Sequence, residues 1–439
     1  MKTFNILTII ASVFAALTPF VLDAKSYSNT GAETDAVAVI WPAYQDEPRW
    51  KELGIFAHGC GEWQNVYEGK PRFDGHYQPM QPLWGYGRDD DPIEVARQLD
   101  AALAAGINVF MYDWYWYCGR PFLENALNNG FLKAPNNERM HFYLMWANHH
   151  VTHLWNNKIA TDNWNDPIWR AWVDYDEFTK VLVPRWISYF KKPNYYKIDN
   201  KPVFMIYLVN KFVEGIGGVE NAKKALAYFR AEVKKAGFAG LHLQIAFYPW
   251  QKPFAVEGDG GKPSWAAFHK YLGVDSATCY NWEPLVVDIF NTYTSKDNIE
   301  YEKYGACALS NFDETAAKLG VPLLANISIG WDNNARYPLS KTTKTTVGKS
   351  PELYGKFLRQ ALQWTDKHNP DLPRFVLINA WNEWTEGGYL MPDKKFGYGY
   401  LNETAKVLST FPARSDNPAT SSRPAQQKPQ IKIKKHLAK

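Results

Sequence analysis

The sequence predicts a (β/α)8 TIM barrel with long rim loops, on three observations. From residue 36 onward, eight short runs rich in β-branched and aromatic residues alternate with helical stretches. The runs are near-continuously apolar, as in Val203-Phe204-Met205-Ile206-Tyr207, which suits strands buried on both faces of a parallel sheet. The runner-up, a doubly wound sheet, calls for a glycine-rich phosphate loop after an early strand, and the sequence has no GxGxxG there. Strand–helix alternation repeated eight times favours closure into a barrel.

The expected strands are Val37–Tyr44, Asn108–Tyr115, His141–Asn148, Pro202–Val209, Leu241–Tyr248, Ser276–Trp282, Pro322–Ser328 and Arg374–Trp381. The helix expected over Pro92–Ala105 starts after three aspartates and stops before Gly106. Ser350-Pro351-Glu352 places a serine cap and a first-turn proline on the helix expected over Ser350–His368. Asp176–Phe190, Val219–Ala236, Asn311–Leu319 and Tyr398–Ser409 complete the expected helices.

A chain of 439 residues, 46% hydrophobic, is long enough for one large barrel with insertions, expected over 25–412. The first 24 residues read as an export signal: Lys2, then an apolar run from Phe4 to Leu22 broken by Thr8 and Pro19, then Ala24 as a cleavage point. The expected location is secreted or periplasmic, with no membrane span once the signal is removed. Residues 413–439 read as a disordered basic tail. Arg414–Lys439 carries a net +6 against +4 for the whole chain, so the body stands near −2. A near-neutral body argues against nucleic acid as a partner.

No metal or cofactor is expected. Cys60, Cys118, Cys279 and Cys307 lack CxxC spacing; one disulfide and four free thiols fit equally. His149, His150 and His153 read as loop histidines, and Asp89-Asp90-Asp91 as a helix start without the rest of a calcium loop.

Aromatic residues reach 16%, with 19 Trp and 26 Tyr. Such rings stack on the C–H faces of sugars. Active sites of barrels lie at the C-terminal ends of the strands. There the sequence places Trp41, Tyr44, Asp113, Trp114, Trp116, Trp146, Asn148, Tyr248, Trp282, Asn382 and Trp384. The long loop from Gly54 to Asp91 adds Glu62 and Trp63, and the segment after the seventh strand adds Trp331, Asp332 and Arg336. Arg336 either holds an acidic sugar group or rim carboxylate, or pairs with Asp332 to shape the loop. These residues are the candidate substrate contacts, and the expected partner is an oligosaccharide or polysaccharide bound by a monomer.

Glu383 and Glu386 stand three residues apart, directly after the eighth expected strand and before Gly387-Gly388. Cleavage of a glycosidic bond needs one acid to protonate the leaving oxygen and a second carboxylate to support the anomeric centre. Two glutamates sharing one cleft should raise the pKa of one of them through burial and repulsion. They are the candidate catalytic pair.

Longer motifs now line up in one order. They are Gly61-Glu62-Trp63-Gln64-Asn65-Val66, Gly75-His76-Tyr77-Gln78-Pro79, Trp146-Ala147-Asn148, Ile198-Asp199-Asn200-Lys201-Pro202-Val203-Phe204, Gly330-Trp331-Asp332-Asn333-Asn334-Ala335-Arg336 and Ala380-Trp381-Asn382-Glu383-Trp384-Thr385-Glu386-Gly387. Over about Val37 to Leu408 the chain resembles the glycoside hydrolase family 99-like group, with its WbsX-type proteins and, more distantly, the endo-α-mannosidases. The resemblance implies a (β/α)8 fold and retaining, metal-free cleavage of an α-linked glycan. It implies Glu386 as general acid/base, and Glu383 as the base that takes the proton of the sugar 2-hydroxyl, giving a 1,2-anhydro intermediate. Thr385 stands where the mannosidases have His, which leaves the carboxylate pair in place and mannoside specificity open, a mannan-like glycan included. Two other functions fit the same barrel. A polysaccharide-building transferase needs a nucleotide-sugar site, and a glycan-binding protein does not need both glutamates.

Overall fold

The structure is a computed structural model that describes residues 26–156, 158, 166–292, 294 and 297–414. The expected export signal, and the expected basic tail beyond Arg414, lie outside the described residues.

Eight parallel strands form the centre: β1 (Asp35–Ile40), β2 (Val109–Tyr117), β3 (His141–Trp146), β4 (Lys201–Ile206), β5 (His242–Ala246), β6 (Ser276–Thr278), β7 (Asn326–Ser328) and β8 (Phe375–Asn379). Their order is β7-β8-β1-β2-β3-β4-β5-β6. The ends meet through a parallel bridge between Ala277 and Leu323, with Ala277 N donating to Pro322 O at 2.9 Å and Leu324 N to Ala277 O at 2.7 Å. The barrel is therefore closed, as the alternation predicts. Around it pack α1 (Pro92–Ala104), α2 (Val183–Phe190), α3 (Val219–Lys235), α4 (Trp265–Leu272), α5 (Tyr301–Ser310), α6 (Phe312–Leu319), α7 (Pro351–His368) and α8 (Gly399–Thr410).

The cap signals perform as read. Asp91 accepts from Ile93 N at the start of α1, and Ser350 accepts from Leu353 N ahead of Pro351 in α7. The expected helix Asp176–Phe190 contains a π-helical turn at Phe178–Leu182 before α2. Helices α4 and α5 lie outside the sequence reading, although Ser264 caps α4 as a serine should. Several strands stop short of the expected ends: Tyr44, Asn148, Tyr248 and Trp282 have left the sheet, and Val209 opens a short helix, Val209–Gly215. The motif Ile198–Phe204 is a hairpin, with Asp199 and Asn200 at φ 51° and 57° between the paired segments Lys197–Ile198 and Lys201–Pro202. The four cysteines form no disulfide.

Strand register decides which side chains face the barrel axis. Val37 pairs with Val109, Met111 with Tyr143, Met145 with Met205, Met205 with Gln244, and Gln244 with Ser276. Tyr143 reaches across to donate from its hydroxyl to Gln244 Oε1 at 3.1 Å, so this set points inward. Because side chains alternate along a strand, Trp41, Asp113, Tyr115, Tyr207 and Tyr280 continue the inward set. Trp114, Trp116 and Trp146 belong to the outward one.

Candidate active site

Glu383 and Glu386 sit at the C-terminal rim, just past β8. Asn382–Glu383 pairs antiparallel with Gly388–Tyr389 across a 3-10 turn, Trp384–Glu386. Gly387 closes that turn at φ 67°, and a Cβ on it would come within 3.0 Å of Asp332 Cβ and 3.1 Å of Asp332 N. Only glycine fits both the backbone angle and the approach, so Gly387 fixes where Glu386 points. On the facing loop, Gly61 has φ 59° and a Cβ there would strike the Ala43 carbonyl. That contact presses Glu62 against the end of β1.

The two catalytic candidates share one buried cluster and act on each other's ionisation. Glu383 Oε2 accepts from Tyr280 Oη at 2.9 Å and Asn379 Nδ2 at 3.2 Å. Glu386 pairs with Arg336 through Nη1, and its side chain retains 16% exposure. Burial pushes Glu383 well above the usual carboxylate range, and the Glu386 charge adds to that. Burial also raises Glu386, but Arg336 opposes it directly. The resting proton of the pair therefore lies on Glu383.

Arg336 organises the other side. Its Nε donates to Glu62 Oε1 at 2.6 Å and its Nη2 to Glu62 Oε2 at 3.2 Å, while Nη1 reaches Glu386. Burial alone would lower the guanidinium; Glu62 and Glu386 outweigh it and hold the charge in place. Glu62 is fully buried and also accepts from Trp41 Nε1 at 2.6 Å and Thr385 Oγ1 at 2.9 Å. Thr385, the departure from the mannosidase pattern, is thus spent on Glu62. Arg336 holds a rim carboxylate, one of the two sequence readings. It does not pair with Asp332, whose Oδ2 accepts from Gln78 Nε2 at 2.8 Å and meets His76 Nε2 at 2.8 Å. Burial would raise Asp332, but these bonds and those from Asn334 outweigh it and lower its pKa.

Asp113 Oδ2 lies 2.9 Å from the same Tyr280 hydroxyl that reaches Glu383. One phenolic O–H cannot donate to two carboxylates at once. One of the two acids therefore carries a proton, consistent with the burial that raises both. Glu283, after β6, is a further acid near the pair: burial, then the Glu386 charge, push it up to about 7. His149 is buried with its pKa pushed down to about 4 by burial, and its Nδ1 lies 2.9 Å from the His150 carbonyl. The neutral ring at physiological pH then donates Nδ1–H and leaves Nε2 as an acceptor.

Of the predicted contacts, Trp41, Glu62, Asp113, Arg336 and Tyr44 surround the glutamates; the Tyr44 hydroxyl accepts from Trp384 N at 3.0 Å. Tyr248 joins through Tyr207, 5.2 Å away ring to ring, and Trp331 is half-buried beside the Glu386 turn. The remaining predicted contacts serve packing. Trp114 donates from Nε1 to Glu124 and packs on Trp186; Trp116 donates to Glu177; Trp146 lies against Phe178, Trp186 and Phe212; Trp282 lies against Tyr301, Tyr304 and Phe357. All four fill the layer between barrel and helices. Trp63 stacks on Tyr44 at 4.1 Å, and Trp384 on Tyr389 at 3.7 Å. Asn382 bridges Trp41 backbone and Asp89, Asn148 ties down Leu208, and Asp332 is enclosed by His76, Gln78 and Asn334. Tyr115, Tyr207, Tyr280, His149 and Glu283 also neighbour the Glu383, Glu386 and Arg336 cluster and were not among the predicted contacts. For the first two tyrosines the signal was available: they share the strand parity of Asp113 or follow β4 in register.

A closed parallel barrel with clustered acids at its C-terminal rim has the architecture of a glycoside-hydrolase-like fold. The chain shares it with a solved glycoside hydrolase-like protein at TM-score 0.50 and 14% identity, over 75% of this chain and 89% of that one. It is also similar to the GH99 endo-α-mannosidase of Bacteroides thetaiotaomicron at TM-score 0.47 and 11% identity, over 85% of this chain and 96% of that one. The chain belongs to the WbsX glycosyltransferase family, whose model matches residues 37–404. Two curated relatives, both the uncharacterized protein WxcX from strains of Xanthomonas campestris pv. campestris, are 25% identical over 366 residues. That match covers 81% of this chain, which spans about half, 47%, of the relatives' length. Among the described residues no helix is long and apolar enough to cross a membrane.

Proposed function

We propose that this protein is a retaining glycoside hydrolase that cleaves an α-linked glycan, endo-acting, through Glu386 and Glu383. The observation that carries the reading is a pair of buried rim carboxyls that act on each other's ionisation, one of them held by Arg336. A nucleophile and acid flanking one anomeric carbon stand roughly 5–5.5 Å apart. The reading assigns the pair instead to adjacent oxygens of one sugar, the leaving oxygen and the 2-hydroxyl.

The resting proton on Glu383 must pass to Glu386 before chemistry. Glu386 is then the acid and Glu383 the base. Glu383 takes the 2-hydroxyl proton, O2 bonds to C1, the C1–leaving-oxygen bond breaks, and Glu386 protonates the departing oxygen. In the second half, Glu386 takes a proton from water, the water oxygen bonds to C1, the C1–O2 bond opens, and Glu383 returns its proton to O2. Tyr280 and Asn379, both bonded to Glu383 Oε2, steady the ionised base. The N-terminal pattern of Lys2 and the apolar run to Leu22 supports action outside the cytoplasm.

Incubation with a panel of α-mannans and other α-glycans tests the proposal. Wild type should release oligosaccharides and Glu386→Gln should not; equal release by the variant removes Glu386 from the mechanism.

The family's description favours a second reading, transfer rather than hydrolysis. The same carboxyl pair serves it if a sugar hydroxyl replaces water in the second half. Longer products on adding free sugar acceptors, or consumption of a nucleotide sugar, would select that reading.

A further inference from the structure

A cavity adjoins the turn that follows Glu386. Its wall includes Phe73, Tyr77, Tyr389, Phe396, Lys349 and Lys395. Lys349 Nζ donates to the Gly387 carbonyl at 3.0 Å, one residue past Glu386. That uses one of three N–H groups. Lys395 is exposed at the cavity edge, its Nζ 5.1 Å from the Tyr77 ring and 5.0 Å from the Phe396 ring.

Among the described residues neither lysine has a carboxylate partner. The charged groups that face Lys349 are Asp332, Asp393 and Lys395. Asp332 is committed to His76, Gln78 and Asn334, and Asp393 to the Tyr389 hydroxyl at 2.8 Å and Phe396 N at 2.6 Å. A half-buried ammonium whose neighbouring acids are already bonded elsewhere has no direct counter-ion, and an incoming anion at hydrogen-bond distance supplies one. Burial accordingly pushes the free Lys349 amine down to about 8. The aromatic walls supply flat apolar faces of the kind that pack on sugar rings.

We propose that this cavity is a subsite for an acidic sugar: a hexuronic acid residue of the glycan, its carboxylate between Lys349 and Lys395 and its ring against the aromatic wall. Its place in the substrate rests on the glycan-cleaving reading; the binding of a uronate does not. A free inorganic anion would use the lysines but not the rings.

Calorimetry on the full chain, with D-galacturonate, D-glucuronate, galactose, glucose and inorganic sulfate as probes, tests it. A uronate should bind at near-neutral pH at least about tenfold more tightly than its neutral counterpart and than sulfate. Lys349→Met should lose about tenfold, and Lys395→Met, at an exposed position that does not threaten folding, several-fold. Raising the pH about one unit above the Lys349 value should weaken wild-type binding about tenfold, since the ammonium is then about nine-tenths lost. Neutral sugars binding as well as uronates, sulfate binding as well as uronates, uronate binding unchanged in both lysine variants, or no uronate binding at all would overturn the proposal. Binding and hydrolysis measured together on the wild type separate the two readings. Uronate binding retained without any wild-type hydrolysis leaves the subsite standing; hydrolysis of neutral α-glycans with no uronate binding removes the subsite alone.

Discussion

The two faces of the barrel strands at the rim are equally aromatic and do opposite things. On the inner face Trp41, Asp113 and Tyr280 are wired to Glu62, Glu383 and each other through hydrogen bonds of 2.6–2.9 Å. On the outer face Trp114 and Trp116 give their N–H groups to acids of the surrounding shell, and Trp146 is enclosed by rings with its Nε1 unpaired. One residue of displacement along β2 separates Asp113, bonded to a catalytic candidate's partner, from Trp114, a packing residue. Composition counts both; only parity tells them apart. The inner face holds function in a few polar bonds, and the outer face holds stability in buried area.

Substitutions on each face should therefore move different observables. The largest effect is expected for Arg336→Met on the inner side. It strands the fully buried Glu62 carboxylate and frees Glu386, so stability should fall by about 3–5 kcal/mol and activity should vanish. Chemical denaturation and glycan assays read both; a stable, active variant would mean the network is dispensable. On the outer face, Trp146→Phe should cost about 1–3 kcal/mol with KM unchanged, because Trp146 touches helices and not the cleft. A rise in KM without loss of stability would reverse its assignment.

Tyr280→Phe sharpens the inner face. It removes a hydrogen bond that favours ionised Glu383, so the Glu383 pKa should rise further. The acidic limb of kcat/KM should shift to higher pH by about one unit, at nearly unchanged stability. An unmoved profile would show that Tyr280 does not act through Glu383.

The smallest effect concerns Asp89, which sits under the rim, bonded to Asn382 and Gln98. Burial pushes it up to about 8. The folded state therefore holds a proton that the unfolded chain releases near the ordinary value of about 4. Its contribution to stability is present at low pH and is lost as pH rises through the window from about 4 to about 8. Asp89→Asn should flatten the fall of Tm across that window; an unchanged slope would assign it to other acids.

The barrel was legible because strand runs such as Val203–Tyr207 and caps such as Asp91 and Ser350 are local signals. The glutamate pair was legible for the same reason, standing together after β8. The contacts of Arg336 were only half legible: its partners Glu62 and Glu386 lie 274 and 50 residues away, and no spacing rule encodes such pairings. Trp282, which has the parity of Tyr280, packs outward because it lies past the end of β6; Trp114, Trp116 and Trp146 share another cause. Their strand ends were read as a set, when alternation divides them. Tyr280 and Glu283 were missed because β6 ends at Thr278: Tyr280 follows in irregular backbone, and Glu283 opens a 3-10 turn, Glu283–Leu285.

The central claim, that Glu386 delivers a proton to the leaving oxygen, is tested most directly by Glu386→Gln against two α-glycosides of the same sugar. One carries a natural sugar leaving group, the other an activated one such as fluoride, which departs without a proton. The account predicts a loss in kcat/KM, which reports the half in which the leaving group departs, of about 10²–10⁴-fold on the first and a far smaller loss on the second. Equal losses on both would contradict it.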